Sequence, residues 1–342
     1  MASKRRRITV GVTVTAAVAV LLGVGIGTAN AGTRPWWDRW KPRPKPVATA
    51  PATPTPTPSA AAATTAPTPS ASPSRGTPGS TPSATKPATT PAPAATTTAP
   101  TGTWTPPPAN ASFDYQIGKA YTPPSGVTVV SRDSEVSPAA GIYNICYINA
   151  FQVQPGAESW WQKNHNDLLL RDKAGNLVID EDWDEPMLDF STAAKRTALT
   201  KVAAGWIDAC AAKGFKAIEP DNLDSYTRSN GLLTQAQAVE YAAALSTYAH
   251  GKGLAVGQKN LAELSTANAK KAGFDFAVAE ECAVWNECDR YAATYGNNVI
   301  VIEYTDEGFK KACNGFGSKL SVVQRDVDVT GPGSSTYVFK GC

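Results

Sequence analysis

The sequence predicts a (β/α)8 barrel, the TIM-barrel architecture, for residues 113–342. Short apolar runs that are typical of buried strands alternate here with longer segments that carry helix caps. Three of these runs end abruptly in carboxylates, because Phe215–Ile218, Phe274–Ala279 and Val299–Ile302 lead directly into Glu219, Glu280 and Glu303. Eight strand–helix units would close into a barrel, and the C-terminal rim of such a barrel carries its chemistry.

Nine segments compete for the eight strand positions. The weakest lies within residues 177–188, as Leu177–Ile179 or Met187–Leu188, and we leave it out of the barrel. The eight that remain are Phe113–Ile117, Val127–Ser131, Tyr143–Ile148, Phe215–Ile218, Leu254–Gly257, Phe274–Ala279, Val299–Glu303 and Leu320–Val323. Helices are predicted at Ser191–Lys213, Thr234–His250 and Leu261–Lys271, and glycines follow them at 214, 251 and 273 as stop signals.

The first 112 residues differ from the rest in composition. They hold 11 of the 32 Lys and Arg residues and a single acid, Asp38, whereas residues 113–342 hold 21 bases and 28 acids and have a net charge of −7. Basic residues 4–7 and the apolar stretch after them predict a secretory signal over residues 1–31, with an uncleaved membrane anchor as the alternative. Both interpretations place the C-terminal domain outside the cytoplasm.

Residues 32–112 are predicted to be a disordered linker. The stretch 42–108 consists mainly of Pro, Thr, Ala and Ser and contains 19 of the 27 prolines. Such a composition cannot bury enough apolar surface to offset the loss of chain entropy.

The six cysteines all lie in the C-terminal domain, and an even number in an exported protein favours disulfides. We expect Cys282 to pair with Cys288 and Cys313 with Cys342, while Cys146 and Cys210 form either a third disulfide or two buried thiols. With no C-x-x-C motif and only two histidines, zinc sites of the usual spacing and histidine-based triads are not expected. The chain also lacks nucleotide-binding glycine motifs, so we predict no metal and no cofactor.

Alternate residues of a strand face the same way, so Glu219 and Asp221 should both point into the barrel mouth. The alternative is that the strand-end acids are helix caps or solvated loop charges. Lys259 could lower the pKa of a neighbouring carboxylate or bind a sugar hydroxyl, or it could form a buried ion pair with Glu219 or Glu303.

Several motifs in the same order resemble glycoside hydrolase family 114, the endo-α-1,4-polygalactosaminidases, over residues 113–342. They are Tyr115-Gln116, Ile145-Cys146-Tyr147-Ile148, Glu219-Pro220-Asp221-Asn222, Asp224 with Tyr226, Lys259-Asn260, Glu280-Glu281-Cys282, Glu287-Cys288 and Glu303-Tyr304. The resemblance implies that Asp221 and Glu280 are the catalytic pair. Glu281 stands where the family usually has Gln, so it remains the alternative to Glu280. The resemblance and the strand ends together predict a substrate-binding set of Tyr115, Tyr147, Glu219, Asn222, Asp224, Tyr226, Lys259, Asn260, Glu281, Glu303 and Tyr304.

The resemblance implies a retaining mechanism, with Asp221 as nucleophile and Glu280 first as acid and then as base. Carboxylates about 5–5.5 Å apart fit retention, and about 6.5–9.5 Å fits inversion. The expected partner is a cationic or partly acetylated galactosamine polysaccharide, which an acidic domain would attract, rather than nucleic acid, and we expect a monomer. Trp160 and Trp161 are further candidates for stacking on sugars, although on a helix only one of the two can face the cleft. The alternatives are a hydrolase of another α-linked glycan and a non-catalytic glycan-binding barrel on a stalk.

Overall fold

The computed structural model describes residues 102–342. The predicted signal or anchor segment, residues 1–31, and residues 32–101 of the predicted linker lie outside the described residues. Within the described part, no helix is both long and apolar enough to cross a bilayer.

Eight parallel strands form a nearly closed barrel, as predicted. Neighbours along the chain are neighbours in the sheet, and one antiparallel strand, β11 (Phe339–Gly341), pairs with the last of the eight. The barrel strands are β1 (Phe113–Gln116), β2 (Val129–Asp133), β3 (Tyr143–Asn149), β6 (Ala217–Asp221), β7 (Ala255–Lys259), β8 (Phe276–Glu280), β9 (Val299–Glu303) and β10 (Ser321–Arg325). The weak segment forms a separate hairpin of β4 (Ile179–Asp180) and β5 (Glu185–Pro186), outside the barrel sheet.

An ion pair bridges the seam between the first and last parallel strands. No hydrogen-bonded ladder joins β1 to β10 in the described structure, and Arg325 Nη1 instead lies 3.0 Å from Asp114 Oδ1. Both side chains are fully buried. Removing only one partner of such a buried ion pair strongly destabilises a protein, because the remaining charge would stay buried without a partner.

The part of the chain that the structure describes contains six α-helices. They are α1 (Glu158–Asn164), α2 (Ala193–Lys213), α3 (Gln235–Gly251), α4 (Thr266–Ala272), α5 (Cys288–Tyr295) and α6 (Asp306–Phe316). Thr192 and Thr234 cap α2 and α3 through their side chains. α4 begins at Thr266 rather than at the predicted Leu261, because Asn260 and Leu261 adopt positive φ angles that a right-handed helix excludes.

The connections β1–β2 and β2–β3, which the structure describes in full, contain no helix. The barrel therefore departs from the regular alternation of strand and helix over its first three strands.

Strand residues alternate between two cores. Tyr115, Val278 and Ile302 pack inside the barrel, whereas Ala277 and Val301 pack outward against the helices. Gly257 is needed at the interior, because a Cβ at that position would lie 2.9 Å from the ring of Phe276.

The packed domain begins before Phe113, which moves the boundary that the sequence predicts. Trp104 stacks on His250 with ring centroids 3.8 Å apart, and its Nε1 donates to Asp275 Oδ1 at 2.9 Å. The carbonyl of Pro107 accepts from Asn298 Nδ2 at 2.9 Å. Residues 102–112 therefore contact the barrel near the N-terminal ends of β8 and β9, although their composition resembles that of the linker.

All six cysteines are paired, as Cys146–Cys210, Cys282–Cys288 and Cys313–Cys342. The first bond joins β3 to α2, the second closes the loop between β8 and α5, and the third joins residue 342 to α6. The expected pairs are confirmed, and the structure decides the open choice for Cys146 and Cys210 in favour of a disulfide.

Candidate active site

Lys259 lies at the centre of three carboxylates at the C-terminal end of the barrel. Its Nζ is 3.1 Å from Glu219 Oε1 and 3.4 Å from both Asp221 Oδ1 and Glu280 Oε2. The alternation of residues along β6, β7 and β8 turns all four side chains inward. The carboxylates raise the pKa of Lys259 well above its usual range although burial opposes this, so the lysine stays charged. Lys259 thus combines two roles that the sequence left as alternatives, a buried ion pair and a contact with the candidate catalytic acids.

Three tyrosine hydroxyls donate to the same three carboxylates. Tyr115 donates to Glu219 Oε1 at 2.9 Å, Tyr147 donates to Asp221 Oδ2 at 2.8 Å, and Tyr304 donates to Glu280 Oε1. Burial, reinforced by the negative charges nearby, raises the pKa of each tyrosine well above its usual range. These hydroxyls therefore keep their protons and act as fixed donors to the carboxylates.

Glu219 and Tyr115 were predicted to bind substrate, but the structure places them beneath the site, with no exposed surface. Glu219 accepts from Ser131 Oγ at 2.6 Å in addition to its contacts with Tyr115 and Lys259. Burial raises the pKa of Glu219, and the charge of Lys259 opposes that effect. Both residues, like Lys259 with 2% exposure, are therefore positioned to orient the groups above them rather than to touch a sugar.

Asn260 holds Glu280 with two hydrogen bonds. Its Nδ2 donates to Glu280 Oε2 at 2.8 Å, and its Oδ1 accepts from the Glu280 backbone at 2.9 Å. Glu281, the alternative candidate, follows the strand in a left-handed conformation with a φ of 54°. Glu280 shares with Asp221 a contact of 3.4 Å to Lys259 Nζ.

Glu303 was predicted to bind substrate and points away from the cleft, which corrects that assignment. In β9 it lies on the same face as Val299 and Val301, which pack against the outer helices. Its Oε1 accepts from the backbone of Ala283 at 2.8 Å, and its Oε2 is buried without a hydrogen-bond partner. Burial raises the pKa of Glu303 to about 7. Tyr304, the next residue, is the one that reaches the cleft.

Two residues at the site, Asn149 and Glu185, lie outside the set predicted from the sequence. Asn149 Nδ2 donates to Glu185 Oε2 at 2.8 Å, and Asn149 Oδ1 accepts from Asn222 Nδ2 at 3.0 Å. Asn149 lies on the same face of β3 as Tyr147, so extending the predicted strand by one residue beyond Ile148 would have identified it. Glu185 comes from the β4–β5 hairpin, which has no periodic signal. Burial, together with the charge of Asp221, raises the pKa of Glu185 to about 7.

Asp224 and Tyr226, two further predicted substrate contacts, lie at the edge of the site and are held by other side chains. Asp224 pairs with Arg228 at 3.0 Å, and Arg228 also pairs with the buried Asp180 at 2.6 Å. The Tyr226 hydroxyl accepts from Gln235 Nε2 at 3.0 Å, and its ring packs on the helical core.

A family model for the glycoside hydrolase family GH114 matches residues 93–341 of the sequence. The chain belongs to family GH114. The match begins before Phe113, in agreement with the packing of residues 102–112. A comparison with curated proteins gives no match.

The chain is similar to several solved structures. Ega3 of Aspergillus fumigatus, in complex with galactosamine, is 24% identical with a TM-score of 0.58 and covers 71% of this chain and 98% of its own. The glycoside hydrolase domain of PelA from Pseudomonas aeruginosa is 16% identical with a TM-score of 0.45, covering 66% of this chain and 97% of its own. An α-galactosidase of Thermus thermophilus is 14% identical with a TM-score of 0.42, and the match covers 64% of this chain and 58% of the α-galactosidase chain.

The GH114 site offers acid–base chemistry from carboxylates. The ammonium group of Lys259 lies between the carboxylates of Glu219, Asp221 and Glu280. Cys282, Cys288 and Glu303 also lie together, but a disulfide joins the two cysteines, so they present no thiolate to a metal. Glycoside hydrolysis requires only two carboxyl groups on opposite sides of the scissile bond.

Proposed function

We propose that this chain hydrolyses α-1,4-galactosaminidic bonds in a galactosamine polysaccharide with retention of anomeric configuration. Asp221 attacks the anomeric carbon while Glu280 transfers its proton to the departing glycosidic oxygen. Glu280 then removes a proton from water, the water oxygen attacks the same carbon, and the bond to Asp221 breaks. The first step leaves the sugar bonded to Asp221 and Glu280 without its proton, and the second step restores both groups, as a retaining cycle requires.

The observation that carries this proposal is the shared contact with Lys259. Asp221 Oδ1 and Glu280 Oε2 each lie 3.4 Å from Nζ, so these two oxygens are no more than twice that distance apart. A separation of about 5–5.5 Å between the two carboxyl groups, typical of retaining enzymes, is compatible with this shared contact. Tyr147 and Tyr304 hold the two carboxylates from their other oxygens.

The acidic lining of the cleft supports a cationic sugar as substrate. Glu185 is 7% exposed and lies near Asp221, where a protonated amino group on a bound galactosamine would balance its charge. Asp221 and Glu280 add two further carboxylates at the same end of the barrel, beside Lys259. The family resemblance and the galactosamine complex of Ega3 point to the same sugar.

We also place the catalytic domain outside the cytoplasm. The predicted signal or anchor supports this, and three disulfides persist best in an oxidising compartment.

The experiment measures reducing ends released from purified galactosaminogalactan and from other α-linked glycans. Asp221→Asn and Glu280→Gln should each lower kcat by about 10³-fold or more, equivalent to about 4 kcal/mol of barrier. Glu281→Gln is the matched control and should stay within a few-fold of wild type. NMR of the first product should show the α anomer.

Three results would contradict the proposal. An initial β anomer would exclude retention, and full activity in Glu280→Gln with loss in Glu281→Gln would move the acid by one residue. Cleavage of another α-glycan but of no galactosamine polymer would change the substrate.

A further inference from the structure

A groove with a volume of 630 Å³ lies beside the catalytic cleft, next to the ends of β1, β2 and β3. Its walls include residues that follow β1 and β2, together with side chains of α1 and α2. The two helix-free connections, β1–β2 and β2–β3, contribute residues 117–120 and 134–136 to these walls. None of the catalytic groups discussed above requires this space.

Trp160 gives the groove a fixed aromatic surface. Of the two adjacent tryptophans, Trp161 is buried in the core and Trp160 is 46% exposed. Trp160 packs at right angles on Trp161, with centroids 5.4 Å apart, and contacts His165 at 5.0 Å. A large indole that is exposed and yet supported on two sides is suited to stacking. A protonated amino sugar offers an apolar ring face and a cation, and both are attracted to an indole face.

The polar residues of the groove suit a sugar better than an apolar ligand. Gln154, Asp133 and Glu135 line it and can bond to hydroxyl or amino groups. Two lysines also line it, and the Nζ of one of them, Lys213, donates to the carbonyl of Ser134. Because acids and bases are balanced in number, recognition would come from stacking and hydrogen bonds rather than from net charge.

Asn149 connects the groove to the cleft. It lines the groove, and its side chain bonds to Glu185 and to Asn222, the residue after Asp221. A polysaccharide held at Asp221 can therefore continue across Asn149 toward Trp160.

We propose that this groove binds sugar units of the same galactosamine chain that lie outside the reacting pair, with Trp160 as the stacking platform. The inference rests on the proposed function for its ligand. It extends that function by adding a site that acts on long chains only.

The test compares the full-length protein and its variants on galactosamine polymer and on the shortest galactosamine oligomer that wild type cleaves. Trp160→Ala should lower kcat/KM on the polymer about three- to tenfold, the size of a lost cation–π contact, through a higher KM. The same variant should leave the short oligomer unchanged. Ala209→Trp, which fills the groove from α2, should have the same selective effect. Ala212→Trp, at an exposed position of α2 outside the groove lining, is the matched control and should match wild type on both.

Equal loss on polymer and oligomer would overturn the inference, and so would no loss on either. A change in sedimentation of Trp160→Ala would instead indicate that a second copy of the chain covers this face, which also overturns it. Calorimetry of polymer binding to Asp221→Asn, with and without Trp160→Ala, separates this test from the proposed function. Wild type that cleaves no galactosamine substrate refutes the function, whereas polymer binding that Trp160→Ala does not weaken refutes the groove.

Discussion

At the scale of single residues, Lys259 organises the site. One buried ammonium group neutralises part of the charge of three carboxylates, from β6 and β8, that would otherwise repel one another. The raised pKa of Lys259 means that its protonated form stabilises the folded protein. This contribution is complete at pH values below about 10, the ordinary pKa of lysine, and is lost only as the pH rises above that value. Its contribution should therefore be constant over the working pH range.

Lys259→Met should destabilise the protein by about 3–5 kcal/mol, because Glu219 would stay buried without its cation. Urea unfolding at pH 7 measures the change, and kcat should fall as well, since Asp221 and Glu280 lose their common contact. Lys252→Met is the control, since that lysine forms an exposed pair with Asp208 and its loss should leave the midpoint unchanged. An unchanged midpoint in Lys259→Met would contradict the buried network.

Glu303→Gln should stabilise the protein at neutral pH but not at low pH. Burial raises the pKa of Glu303 from 4.5 to about 7, so the folded protein favours the protonated carboxyl group. The stability that this group contributes is therefore complete below pH 4.5 and is lost as the pH rises to about 7. The variant should gain on the order of 2–3 kcal/mol over wild type between pH 4.5 and pH 7.5. Urea unfolding at both pH values tests this, and Glu307→Gln, at an exposed position on α6, should show no such trend.

At the scale of elements, the loop between β8 and α5 matters most, because it directly follows Glu280. The Cys282–Cys288 bond closes it, the Ala283 backbone donates to Glu303 Oε1, and the Glu287 backbone donates to the Cys282 carbonyl at 2.8 Å. Glu303 thus contributes to the site from behind, by holding this loop, and not by touching substrate. Catalytic groups tolerate little displacement, so the restraint bears directly on rate.

Replacing Cys282 and Cys288 together by Ser should affect catalysis more than stability. The short closed loop predicts a loss of only about 2 kcal/mol, but kcat should fall at least tenfold as Glu280 becomes mobile. Replacing Cys313 and Cys342 is the matched control, with a larger stability loss of about 3.5 kcal/mol and an unchanged kcat. Equal kcat in both double variants would show that the first disulfide does not position Glu280.

At the scale of the whole molecule, the described N-terminal residues attach at the end of the barrel opposite the site. Trp104 contacts His250 and Asp275, and Asn298 binds the Pro107 carbonyl, all near the starts of strands. The candidate catalytic groups lie at the opposite ends of the barrel strands. Residues 102–112 therefore contact the barrel on the face away from the cleft.

A chain that begins at Gly102 should keep full stability and kcat, because the composition of residues 1–101 predicts no contribution to a core. A chain that begins at Phe113 should lose the Trp104 contacts and have a lower Tm with little change in kcat. Trp104→Ala in the longer chain should reproduce most of that loss, about 2 kcal/mol. Calorimetry measures all three, and an unchanged Tm in the chain beginning at Phe113 would contradict the packing described here.

The sequence by itself determined the barrel, the order of its strands and the strand-end acids, since strand periodicity and strand-end acids are local signals. The choice of Asp221 and Glu280 among those acids came from the family resemblance. Tertiary structure alone decided which acids are accessible. Glu219 and Glu303 both end strands, yet one is buried beneath Lys259 and the other faces the helices. It alone brought Glu185 to Asp221 and opened the groove at Trp160, because those contacts join segments far apart in the chain. Local patterns carry no information about distances between such segments.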